Sequence, residues 1–142
     1  MTERTAMTTP NFPCFDLTFW DSMDIDNSLE IDAVILTDEQ FYASNEHFNK
    51  YLLDHIIVDS DGKKYKAIKL LPFAGWRKLI PFIAKAKVMY ESLETSIGLE
   101  ELRSIILKKL DTAQNQEEQQ ELRIETMKAK NYLELFGFEV QR

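Results

Sequence analysis

Apolar residues recur at every second position over Leu29–Leu36. Leu29, Ile31, Ala33 and Ile35 fall on one face, and Glu30 and Asp32 on the other. Side chains of a strand point alternately to its two faces, so this spacing predicts a strand with one face in the core. Val34 and Leu36 break the alternation and predict burial on both faces at its end. Phe15–Trp20 has the same period, with Phe15, Leu17 and Phe19 aligned, and predicts a short strand.

The period lengthens after Thr37. Phe41, Phe48 and Leu52 stand at i, i+7 and i+11, a helical spacing. Thr37-Asp38-Glu39-Gln40 has the form of a capping box, with Leu36 and Phe41 at the positions of a hydrophobic staple. Asp38 and Glu39 fall in the first turn, where the helix dipole favours anions. Together these features predict a helix over about 38–53.

Two extended segments, His55–Asp59 and Lys64–Leu71, flank Ser60-Asp61-Gly62-Lys63. Asp-Gly supplies the positive backbone angles of a tight turn, so this stretch predicts a hairpin. Pro72–Gly75 reads as a loop. Pro81–Leu93 fits either period, but its bases precede its acids, against the helix dipole, and a strand is favoured.

Gly98–Leu110 predicts a helix, opened by Glu100 and Glu101, closed by Lys108 and Lys109, with Leu99, Leu102, Ile106 and Leu110 as its apolar stripe. The polar run Thr112–Glu121 is either the exposed start of the next helix or a link; helix propensity favours the former. A final helix is expected to reach Phe136, burying Leu122, Ala129, Leu133 and Phe136, and to end on a left-handed Gly137 with Phe138 against Leu133. Glu117, Glu121 and Glu125 mark its polar side.

These elements predict α+β architecture: an antiparallel sheet of about four to five strands with about three helices on one face. Residues 14–142 are expected to form a single domain, preceded by a flexible arm over 1–13, where two prolines and small polar residues show no period. At 142 residues the chain is long enough to bury a core of ordinary size.

Charge adds the one feature that periodicity does not carry. Between Thr5 and Asn49 there are nine acids and no Lys or Arg; between Gly62 and Tyr90 there are eight bases and no acid. Sorted charge gives a field with two poles, which steers partners or locks parts of a fold together. The net charge of −7 argues against a general nucleic-acid coat.

Candidate chemistry is sparse. The single cysteine, Cys14, excludes a disulfide framework within the chain and predicts a reducing, cytoplasmic setting. No secretory pattern opens the sequence, and no apolar run approaches the length of a membrane span. An EF-hand loop begun at Asp24 would place Leu29 where Gly belongs and Ile35 where Glu belongs, so no metal is expected. His47 and His55 lack zinc-ligand spacing, and phosphate-cradling glycine motifs are missing, so no cofactor or catalytic residue is assigned. A Cys14–His dyad has no local signature; a buried thiol is the expectation.

Two binding readings remain beside that of an enzyme without a readable motif. The first is a non-enzymatic interaction protein, of inhibitor or immunity type, that meets a basic protein surface through Asp21, Asp24, Asp26, Glu30, Asp32 and Asp38. The alternative is a nucleic-acid module using the basic and aromatic segment 63–90, with Lys64, Lys66, Trp76, Arg77 and Lys78. Against the latter, aromatics turned to a core and lysines on the outer sheet face, paired with Glu30 or Asp32, would explain the same pattern. Exposure of Trp76 discriminates between the two readings.

Overall fold

The hairpin turn is built as its sequence predicts, and it organises the middle of the chain. The computed structural model describes residues 9–23, 34–71, 86–112 and 116–137. Within it, strand β4 (Ile56–Val58) pairs antiparallel with β5 (Lys63–Leu70) through Ile57 opposite Tyr65. Gly62, at φ 85°, donates its N–H to the carbonyl of Asp59 at 2.9 Å. The Asp59 carboxylate is buried and accepts the N–H groups of Asp61 and Lys63 on one oxygen and that of Asn11 on the other. Three backbone donors satisfy a charge that would be costly to bury unpaired.

Around this hairpin lies a six-stranded antiparallel sheet. β1 (Cys14–Asp16) pairs with β4 and with β2 (Ile35–Leu36), while β6 (Ala86–Ser96) pairs with β5 and with β3 (Phe41–Tyr42). The order is β2-β1-β4-β5-β6-β3. β2 and β3 therefore form opposite edges, although only residues 37–40 separate them in sequence. Six flat strands would span about 24 Å at the usual strand spacing, and five residue steps reach at most about 18 Å. The sheet must curl, and it does.

The curl divides the core in two. Every strand contributes to one cluster: Leu36, Cys14, Ile57, Tyr65, Ala67, Val88, Tyr90 and Tyr42 line one side, and Phe48 and Leu52 of the α2 region (helix Asn45–Tyr51) fill it. The other face carries Phe15 and Val58, the sequence neighbours of Cys14 and Ile57. It packs against α1 (Leu17–Ser22), α3 (Leu99–Asp111) and α5 (Tyr132–Leu135), and against Ala129 just past α4 (Gln116–Lys128). Helices thus cover both faces rather than one. The fold is a single α+β domain with more strands than the sequence predicts, because β2 and β3 are only two residues long.

Three local expectations give way. Phe15–Trp20 is not one strand: β1 stops at Asp16, whose Oδ1 accepts the Phe19 N–H and caps α1. Trp20 is then buried and Phe19 is 39% exposed, the reverse of a strand's alternation. The helix expected over 38–53 begins instead at Asn45, capped by Ser44 through the His47 N–H. Asp38 and Gln40 fold into a local turn, with Asp38 accepting from the Glu39 N–H and Gln40 donating to the Asp38 carbonyl. Phe41 and Tyr42 pair with Lys87 and Ala86, and Tyr42 packs edge-on against Phe48. A cap is worth about 1 kcal/mol, less than edge pairing together with aromatic burial.

The last helix is divided. α4 ends at Lys128, and Asn131 caps α5 by accepting the Glu134 N–H at 2.9 Å, while Glu134 reaches back to the Lys130 N–H. Arg103 of α3 donates to the carbonyls of Thr126 and Met127 at the end of α4. The polar run is helical from Gln116, and Glu117, Glu121 and Glu125 are exposed. α3 and the left-handed Gly137 (φ 92°) match their expectations; Phe138 lies outside the described residues. β6 bears out the strand reading from Ala86, with Val88 and Tyr90 buried, and residues 81–85 lie outside the described residues.

Candidate functional site

Three aromatic side chains of the acidic half reach solvent. Phe19 is 39% exposed on α1, Phe41 is 50% exposed on β3, and Tyr51 is 55% exposed on α2. Each has an exposed acid close by in sequence: Asp21 beside Phe19, Asp38 beside Phe41, Glu46 and Asp54 around Tyr51. These are the three aromatics among the described exposed large side chains, and all fall between residues 19 and 51. Sequence spacing conceals them, because it places Phe19 and Phe41 facing inward on elements that the fold does not form.

Of the predicted acids, Asp21 lies exposed on α1 and Asp38 lies exposed in the crossing from β2 to β3. No described hydrogen bond or ion pair joins them. Asp24, Asp26, Glu30 and Asp32 lie outside the described residues, as do Trp76, Arg77 and Lys78. Lys64 and Lys66 are half-buried on β5, on the face opposite Tyr65. Tyr65 and Tyr90, two aromatics of the basic segment, are buried in the inner cluster. Lys66 stands across from Glu91, and Lys87 forms an ion pair with Glu39 at 2.7 Å.

A groove of about 340 Å³ opens where α1 crosses β4 and α3, lined by Leu17, Thr18, Asp21, Ile56 and Ile105. Its described walls are mostly apolar, and Asp21 is the one charged residue among the described lining residues. The Thr18 hydroxyl accepts the Ile56 N–H at 2.8 Å, which fixes α1 over the start of β4. Lys109 donates to the carbonyls of Trp20 and Met23 at the end of α1, the favourable position for a cation at a helix C-terminus.

A second polar constellation joins β1 to β4. His55 Nδ1 lies 2.8 Å from Asp16 Oδ2. The pKa of the Tyr42 hydroxyl is raised above its ordinary value, first by burial and then by the negative charge of Asp16. Cys14, two residues from Asp16, is fully buried, and its thiol is pushed well up by burial and then by Asp59. Its Sγ faces the Asn11 carbonyl, so no Cys–His dyad forms, and neither Cys14, His47 nor His55 lines the groove. No cluster of three metal-ligating side chains occurs among the described residues, and none of their helices is long and apolar enough to cross a membrane.

No protein-family model, curated protein or solved structure matches the chain.

Proposed function

We propose that this chain is a non-enzymatic interaction protein whose acidic N-terminal half binds a basic surface of a protein partner, in the manner of an inhibitor or immunity protein. The observation that carries this reading is the coincidence of exposed aromatics with the acidic segment: Phe19, Phe41 and Tyr51 each lie within a few residues in sequence of exposed acids, Asp21, Asp38, and Glu46 with Asp54. Protein interfaces are anchored by aromatic side chains, and complementary charge around them speeds and orients encounter. Asp24, Asp26, Glu30 and Asp32 would extend the same charge. A cytoplasmic setting belongs to this reading, with Cys14 as a reduced thiol.

The nucleic-acid alternative draws less support. Stacking needs exposed rings beside cations, whereas Tyr65 and Tyr90 are buried. Affinity purification at low salt, with and without nuclease, separates the two. A stoichiometric basic protein that survives nuclease, dissociates as salt rises, and is captured less by Asp21→Lys/Asp38→Lys is the expected result. Co-purifying nucleic acid, or a partner lost on nuclease treatment, would overturn the proposal.

A further inference from the structure

We infer that the groove between α1, β4 and α3 receives one lysine or arginine side chain of the basic partner. The inference rests on the interaction reading above and gives it a point of engagement. Long basic side chains are amphipathic: their methylene stems lie along apolar surface while the charged head seeks water or an anion. The groove has that division. Leu17, Ile56 and Ile105 offer the stem an apolar channel, and Asp21 offers the head a carboxylate.

The acid is available. Asp21 is exposed and has no ion-pair partner among the described residues. Lys109, at the same end of α1, is held by the carbonyls of Trp20 and Met23. Lys66 stands across from Ile56 on the same sheet face, with Glu91 as its neighbour in β6. Thr18 accepts the Ile56 N–H, and its oxygen retains a second lone pair. An anionic guest would meet Asp21 with repulsion, and a neutral apolar guest would leave it without a partner. The charge of the groove therefore selects a cation on an aliphatic stem.

The test is an amide-resolved NMR titration of the full chain with N-acetyl-lysine methylamide and N-acetyl-arginine methylamide. N-acetyl-norleucine methylamide serves as the uncharged control of similar stem length. Saturable shifts at Leu17, Asp21, Ile56 and Ile105 are expected with both cations. Affinity should fall about threefold to fivefold with norleucine, and equally in Asp21→Asn, as suits an exposed ion pair. Asp21 makes no described hydrogen bond, so this variant is expected to keep its spectrum elsewhere. Equal binding of norleucine would overturn the inference, as would full affinity in Asp21→Asn. Cation-dependent shifts confined to Asp38, Phe41 and Glu46 would overturn the groove and leave the acidic-surface reading standing. Groove binding of the cations, with no basic protein captured from the lysate, would count against that reading instead.

Discussion

His55 and Asp16 are 39 positions apart, and the 2.8 Å contact between Nδ1 and Oδ2 joins the start of β4 to the cap of α1. Asp16 is 4% exposed and uses both oxygens, Oδ1 on the Phe19 N–H and Oδ2 on the imidazole. One residue thus ends a strand, begins a helix and fixes the neighbouring strand. Asp16→Ala removes both contacts, and a loss of about 2 kcal/mol or more is expected in urea unfolding. Asp16→Ser keeps a capping oxygen and loses only the histidine contact, so it should recover about half of that loss. Equal losses in the two variants would assign the whole effect to the histidine contact.

Gly62 combines a positive φ with a crowded setting. A Cβ there would meet the Tyr132 hydroxyl and ring, and would lie 2.9 Å from the Ile97 carbonyl oxygen. Gly62→Ala should cost at least about 1–2 kcal/mol from the left-handed backbone alone, and more from the clash. Thermal unfolding would show a fall of several degrees. Tyr132→Phe should cost about 1 kcal/mol by removing the 2.5 Å bond to the Ile97 carbonyl.

Alkaline conditions should weaken the fold. Burial raises Cys14 above its ordinary value of 9.0, and raises Tyr42, Tyr65, Tyr90 and Tyr132 above 10.0. A group whose folded pKa exceeds its unfolded one holds its proton more tightly in the folded state. Its contribution is therefore intact below the unfolded value and is lost as pH rises through the folded one. Urea midpoints should be flat up to about pH 9 and fall beyond about pH 10. For the same reason Cys14 should resist a thiol reagent at about pH 8 until the chain is unfolded.

Replacing Phe19, Phe41 or Tyr51 by alanine should cost no more than about 1–2 kcal/mol, since each ring is only partly buried. The same variants should weaken capture of a protein partner by roughly tenfold each where the ring is an anchor. Unchanged capture in all three, with folding intact, would remove the aromatic basis of the interaction proposal.

What can be read from the chain alone follows the range of the forces involved. The Asp59–Gly62 turn, α3 and the Gly137 cap are decided within a few residues, and the sequence reading places all three. The capping box at Thr37 is an equally local signal, yet β6 competes for Phe41 and Tyr42 from more than forty positions away. In the sequence Asp16 is only one acid among nine, because its partner His55 is near in space alone. Asn131-x-x-Glu134 was a legible cap, hidden by the continuous helical spacing on either side of it. Leu17, Ile56 and Ile105 leave no joint trace, since three separate elements bring them to the groove.

The crossing at residues 37–40 also governs how this protein meets copies of itself. An open sheet normally ends in two rows of unpaired backbone groups, each a template for a strand from another molecule. Here the edges β2 and β3 are two residues long and are tethered to each other by four residues. Among the described residues, a strand approaching β2 or β3 would find only a two-residue register to add to. The chain can thus display Phe19, Phe41 and Tyr51 on its surface while β2 and β3 themselves give little foothold to fibre-like self-addition.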